Sequence, residues 1–498
     1  MRKILLLFLL SSFIMTTKAQ LFTPGTGVHW NFDSLLAYNA FTPDPSGNFY
    51  VLNDNVFISP SDTVTLTNDD TLKVSPAKLV TVEGTLIIDP VQQLVITSTN
   101  PSQKFMGFRF DNSPGSVIRN AHILNAGGIK LVYSNVLFEY TTFSQFDKSH
   151  STGTIDAFYS DPVIRYCSFT ENAGPAVASG SNGYSSPQIY YSQIIHNNTS
   201  NANTPQINLG TSGADTVRIV GNTIDGLYDM GGGIALSTLI GGSAKAIIDS
   251  NTITNNRYGI AAIGSNIRTI IRHNYIADNN IQGNPMQGGS GLNFQGGTTN
   301  TAQISHNEIT GNLWGVTIQS SAQPNLGHIE PDTLNIGWNK IYGNGNSGVI
   351  YNLYNNTSGN IKAENNYWGS YIPDTVETTI FHQPDDPSLG FVDYLPLSPI
   401  ITDAPARFAS ANERFVELIY PNPARDVVRI RLNEAMLPEH FTASIAVVNM
   451  LGQQVFRMVQ DYQGKDMLVP LSTLPAGLYY LSVDVKGARA MQPLMIQP

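Results

Sequence analysis

The dominant pattern along the chain is a short unit, apolar-x-x-Asn-x-apolar, followed some residues later by Gly-apolar. It reads Ile219-Asn222-Ile224, Ile248-Asn251-Ile253, Ile271-Asn274-Ile276, Ile304-Asn307-Ile309 and Ile336-Asn339-Ile341, and more loosely at Asn366-Trp368. The Gly-apolar partners are Gly233-Ile234, Gly259-Ile260, Gly291-Leu292, Gly315-Val316 and Gly348-Val349. Degenerate copies stand upstream at Ile118-Ala121-Ile123, Phe138-Thr141-Phe143, Ile164-Cys167-Phe169 and Ile189-Ser192-Ile194, so the unit recurs at an irregular spacing of 20 to 33 residues. No segment sustains a helical period over three turns, and Gly, Asn and Thr interrupt every run.

A short β-branched strand, an Asn turn and a second short strand, repeated with loops of variable length, predict a parallel β-helix in which each repeat is one coil. Inward apolar residues stack on those of the next coil, and Asn222, Asn251, Asn274, Asn307, Asn339 and Asn366 form a hydrogen-bonded ladder. With coils about 4.8 Å apart, ten to twelve of them span roughly 50 to 60 Å. The run 79–88, with Gly84, is expected to open the helix, and the segment after Asn366 with Asp385, Asp386, Gly390 and Pro396 to close it. Cys167 falls on the inward ladder and is expected to be buried and inert; a lone cysteine forms no internal disulfide.

These coils, with Asn365-Asn366-Tyr367-Trp368-Gly369 and the later Asp385-Asp386 and Gly390-Phe391-Val392 stretch, resemble the right-handed parallel β-helix proteins exported by Bacteroidetes-type bacteria. The resemblance covers roughly 79–400 and implies the fold. It leaves activity open, because lyases, hydrolases, adhesins and accessory proteins all use such coils.

After Trp368 the ladder stops and Pro and Asp accumulate through 370–412, which reads as cap and linker. Period-2 alternation then returns in 427–432, 444–449, 454–458 and 479–485, predicting a small Ig-like β-sandwich. Tyr420-Pro421-Asn422-Pro423-Ala424, Asn449-Met450-Leu451-Gly452 and Leu474-Pro475-Ala476-Gly477 resemble, in order, the C-terminal sorting domain of the type IX secretion system. That resemblance implies export across both membranes, the secretion machinery as a partner, and release or attachment at the outer surface.

The first residues fit this route. Residues 1–19 have a basic start (Arg2, Lys3), an apolar run over 4–15 and small residues Thr17 and Ala19, a secretory signal peptide with a cut expected between Ala19 and Gln20. The expected organisation is therefore signal peptide 1–19, N-terminal segment and cap 20–78, β-helix 79–369, cap and linker 370–412, and sorting domain 413–498. No later stretch is apolar enough for a transmembrane segment in the mature chain.

Composition narrows the function. Only 13% of the 498 residues are charged, hydrophobic residues make 41%, and the formal charge is −10, falling to −13 once Arg2, Lys3 and Lys18 leave with the signal peptide. An acidic exported protein is a poor match for nucleic acid. The nine His show no zinc spacing, and neither a metal nor another cofactor is indicated. Gly343-Asn344-Gly345-Asn346-Ser347-Gly348 precedes a strand and reads as a turn, not a nucleotide loop.

Enzymes of this fold work from outward side chains of a strand. Those after the Gly-apolar pairs (Ala235, Ala261, Asn293, Thr317, Ile350, then Gln295, Gln319 and Asn352) carry no titratable group. The residues beside the ladder Asn are richer: His273, His306 and Trp338 on one side, Tyr275, Glu308, Lys340 and Tyr367 on the other. Stacked coil on coil they form a stripe suited to sugar rings, with Glu308 and Lys340 expected as no more than a weak surface ion pair. The leading expectation is a monomeric, non-catalytic surface protein with extracellular polysaccharide or a surface molecule as its second partner. The alternatives are a polysaccharide lyase or glycoside hydrolase drawing acid-base groups such as Glu330 and Asp332 from its loops, and a rigid spacer.

Overall fold

The computed structural model describes residues 21–330, 335–398, 416–422, 424–432, 441–449, 454–462, 466–485 and 488–497. The signal peptide with Ala19 and Gln20, and Asp332, Pro423 and Gly452, lie outside them. The chain divides into two units, Met1–Ile400 and Ile401–Pro498.

The first unit is a parallel β-helix with three sheets. One coil illustrates it: Ile260–Ile263 lies in sheet A, Ile267–Arg272 in sheet B and Tyr275–Ala277 in sheet C, before the chain returns to sheet A at Ser290–Gly296. Sheets A and B have fourteen strands and sheet C thirteen. Every strand pair in them is parallel except Thr42–Pro43 on Tyr50–Leu52. The register puts like on like: Ile219, Ile248, Ile271 and Ile304 align in sheet B, and Ile224, Ile253, Ile276, Ile309 and Ile341 in sheet C. All are fully buried, and each contributes about 1.5–3 kcal/mol of apolar transfer.

The parallel sheets reach further than 79–369. Leu79–Val82 is the third strand of sheet A, after Leu21–Phe22 and Val56–Ile58, and Ile380–Phe381 and Val392–Asp393 close sheets A and B. The early coils carry Thr-apolar alternation without the Asn turn, which hides them from a search keyed on Asn. The first coil is covered by the helix Phe32–Ala37, capped by Asn31 and burying Phe32 and Leu35. Near the other end, Pro373–Glu377 buries Val376.

The Asn ladder runs as expected. Asn274 donates from its backbone N–H and its Nδ2 to Asn307 Oδ1, at 3.0 and 2.9 Å, and Nδ2 also reaches the Ile248 carbonyl at 2.9 Å. Asn222, Asn251, Asn307 and Asn339 repeat the arrangement, ending on Asn366 Oδ1. Ser192 and Cys167 extend it upstream, where the Cys167 backbone N–H donates to Ser192 Oγ at 3.1 Å. Burial pushes the Cys167 thiol up to about 12.

A second ladder, invisible to a search for one Asn per repeat, sits five residues further on. Asn256, Asn279, Asn312 and Asn344 are linked side chain to side chain at 2.9–3.2 Å, and Asn344 passes the chain to Asn352. Asn344 therefore belongs to the buried framework, and Asn352, expected outward, is 1% exposed. Val349–Ile350 pairs only with Gly345–Asn346 in a hairpin, while Leu353–Asn356 takes the place in sheet A that the Gly348-Val349 reading gave them. Serines make a third ladder at the A–B corner, from Ser113 through Ser134 and Ser160 to Ser185.

The second unit is a small antiparallel β-sandwich. A three-stranded sheet (Val416–Tyr420, Val427–Leu432, Met467–Pro470) and a four-stranded one (Gln454–Asp461, Thr442–Asn449, Gly477–Val485, Ala488–Ile496) share one core containing Val428, Ile430, Ile445, Val447, Leu481 and Val483. Asn422 Oδ1 accepts from the Met495 backbone N–H at 2.8 Å, fastening the segment that holds Pro421 to the last strand, which Gly477 also meets opposite Ile496.

Candidate functional site

At the B–C corner the chain turns on a single residue with positive φ placed just before each ladder position. Tyr140, Tyr166, Tyr191, Ser250, His273, His306, Trp338 and Asn365 all adopt φ between 48° and 60°, save Trp338 at 61°. Left-handed backbone is uncommon for such side chains, and the ladder beneath, together with backbone bonds such as Trp338 N–H to Asn365 O at 2.8 Å, holds it in place. The inward Asn turns its neighbour outward, so these side chains form a column along the corner.

The column has two different halves. Tyr140 and Tyr166 stack at 5.1 Å and 7°, Tyr166 and Tyr191 at 5.5 Å and 16°, so their faces cover one another and their edges meet solvent. Gly221 ends this run, because a Cβ there would lie 2.5 Å from the Tyr191 ring. The other half is the predicted stripe: His273 to His306 is 4.9 Å at 32°, and His306 to Trp338 is 6.1 Å at 34°. That fanning leaves ring faces partly open, and Trp338 is 41% exposed.

The polar neighbours are organised. Asp249 accepts from Arg272 Nε at 2.7 Å and lies 3.2 Å from His273 Nδ1. Burial pushes the Asp249 carboxyl up, but the bonds from His273, Arg272 and Ser250 outweigh it and hold it below the usual range. Burial keeps the His306 imidazole below its ordinary value, helped by His273 and Arg272 and opposed by Asp249. On sheet C, Tyr275, Glu308 and Lys340 align in register and Tyr367 bridges Lys340. The expected Glu308–Lys340 ion pair is not made. Glu308 instead accepts from Tyr342 Oη at 2.6 Å, because Tyr342, two residues beyond Lys340 on its strand, reaches the carboxylate first. Burial and that bond raise the Tyr342 phenol, and burial lowers the Lys340 ammonium against the pull of Glu308.

Sequence reasoning thus located the His273–Trp338 half and the sheet C residues, and missed the Tyr140–Tyr191 half; the signal available was an aromatic immediately before Thr141, Cys167 and Ser192. The outward Ala235, Ala261 and Thr317 of sheet A are buried. The acidic pairs serve the backbone: Asp69 accepts from the Gln92 and Gln93 backbone, Asp385 from the His382 backbone and Asp386 from the Ser388 backbone. Among the described residues no three His, Cys, Asp or Glu gather to hold a metal ion, and no helix is long and apolar enough to cross a membrane.

The described residues thus form a parallel β-helix with a half-exposed side-chain column, followed in the chain by a small antiparallel β unit. Residues 418–497 match the family described as Secretion system C-terminal sorting domain, so the chain is directed through type IX secretion to the outer surface or beyond. No curated protein and no solved structure matches the chain.

Proposed function

We propose that the β-helix is a non-catalytic, surface-presented or released glycan-binding passenger that engages polysaccharide along the B–C corner. The observation that carries it is the fanned His273–His306–Trp338 column, whose partly open faces suit the apolar faces of sugar rings, beside Arg272, Asp249, Lys340 and Tyr342 as hydroxyl partners. The Asn ladder beneath fixes the backbone here, so little ordering entropy opposes binding.

The test is retention of the full chain on a panel of neutral and acidic polysaccharides, with ultraviolet absorbance and reducing-sugar release followed in parallel. Retention without new chain ends, weakened about tenfold by Trp338→Ala, is expected. New chain ends would overturn the non-catalytic reading, and unaltered retention in Trp338→Ala would remove the column from it.

A further inference from the structure

Sheet B carries a second surface, distinct from the corner column. Its outward residues are Arg218 and Val220, then Lys245 and Ile247, then Arg268 and Ile270, as the alternating burial over these positions shows. The register sets Lys245 beside Arg268, Arg218 beside Ile247 and Ile247 beside Ile270. Two half-buried isoleucines are thus flanked by cations on adjacent strands about 4.8 Å apart.

Among the described residues, Arg218, Lys245 and Arg268 enter no ion pair. Elsewhere on sheet B, Arg119 pairs with Asp89 and Glu139, Arg165 with Glu139, Arg272 with Asp249, and Lys362 with Asp393 and Glu364. Among the described residues no carboxylate lies within 4 Å of Arg218, Lys245 or Arg268, and Arg218 and Arg268 are exposed while Lys245 Nζ donates to the Ala214 carbonyl at 3.1 Å. In a chain with formal charge −10, three neighbouring unpaired cations on one flat face are held there against no internal partner. The adjoining coil supplies amides and hydroxyls, Thr301 beside Arg268 and Gln303 beside Ile270.

We infer that the Arg218–Lys245–Arg268 face of sheet B binds an anionic polysaccharide bearing carboxylate or sulfate groups. The guanidinium groups take the charged substituents, in forked geometry where a carboxylate presents both oxygens. Ile247 and Ile270 meet the apolar face of a sugar ring, and Thr301 and Gln303 its hydroxyls. The isoleucine floor and the acidity of the rest of the protein favour a polymer of spaced charges over duplex nucleic acid, whose dense phosphates would meet repulsion beyond this patch. The inference rests on the glycan-binding reading above and adds a ligand class and a separate surface.

The experiment immobilises alginate, dextran sulfate and neutral dextran and measures binding of the full chain, the triple variant R218Q/K245Q/R268Q, and Trp338→Ala across a salt series. Arg218 and Arg268 are exposed and Lys245 is half-buried, and the melting curve of the triple variant, set beside that of the wild type, confirms that it folds. Alginate or dextran sulfate binding that falls about tenfold or more in the triple variant, with a shallower salt dependence, and with no comparable effect on neutral dextran, is expected. Equal binding by the triple variant, or no binding of either anionic polymer by the wild type at low salt, would overturn it. Tighter binding of duplex DNA or of phosphatidylglycerol vesicles through the same three residues would overturn it too. Loss in the triple variant with Trp338→Ala silent sinks the corner reading alone, and the reverse pattern sinks this one alone.

Discussion

Gln206 Nε2 donates to Asn256 Oδ1 at 3.0 Å across fifty residues of chain, while its Oε1 accepts from the Asn197 backbone N–H at 3.1 Å. The second ladder should have a member between them, five residues after Asn222, but that position is Leu227, which is 58% exposed. Gln206, in the bend just before the sheet A strand Ile207–Leu209, closes the gap, also donating to the Asp225 carbonyl at 2.8 Å. Replacing it by leucine leaves buried amides on both sides unpaired. Gln206→Leu is expected to cost about 2–3 kcal/mol, read as a lower urea midpoint; a midpoint unchanged within error would show that the ladder tolerates a break.

Cys167 offers the opposite expectation. It is 2% exposed and burial pushes its thiol up to about 12, so a thiolate reagent at neutral pH should leave the native chain unlabelled and label it fully on unfolding. Because Ser192 already serves in the same ladder, Cys167→Ser should change stability by less than about 1 kcal/mol. Rapid native labelling would contradict the inward placement.

The pH response follows from His306 and Asp249. His306 is held below 6.5 in the folded chain, so the unfolded chain takes up its proton first as pH falls. Its contribution is present above pH 6.5 and is lost downward through the folded value. Asp249 is held below 3.8, and its contribution disappears only at still lower pH. His306→Gln should flatten the decline in melting temperature just below pH 6.5, with His122 and His150, also lowered by burial, keeping some slope. An identical decline in the variant would count against the column geometry.

The first coils leave a small gap in their core. An apolar cavity of about 40 Å³ is bordered by Leu35, Phe41, Leu52, Val64 and Val74, among others. Adding one methyl group there, as in Val64→Ile, should stabilise the β-helix by up to about 0.8 kcal/mol, seen as a raised midpoint. A loss of more than that would mean the space is closed in solution.

Export should depend on the second unit. Removing residues 413–498 is expected to leave the passenger in the periplasm, detected by fractionation and antibody labelling of intact cells. Surface labelling of the truncated chain would assign delivery to another segment.

Much of this was legible in one dimension. The Ile-x-x-Asn-x-Ile unit determines the coil because a two-residue alternation broken by Asn can bury its apolar side chains only by stacking on its own copies. The ordered Pro421, Gly452 and Gly477 motifs likewise determine the export route. Three things needed the fold. The early coils lack the apolar-x-x-Asn-x-apolar unit and declare themselves only through register with later strands. Glu308 chooses Tyr342 over Lys340 because two side chains compete for one carboxylate across a 4.8 Å strand spacing, a contest that spacing along the chain cannot decide. Gln206 fills a place in the ladder from the bend before Ile207–Leu209, since hydrogen-bond satisfaction is settled by what lies nearby in space. The sequence sets which residues repeat, and the tertiary structure sets which of them meet, because burial leaves each polar group only the partners that packing brings within reach.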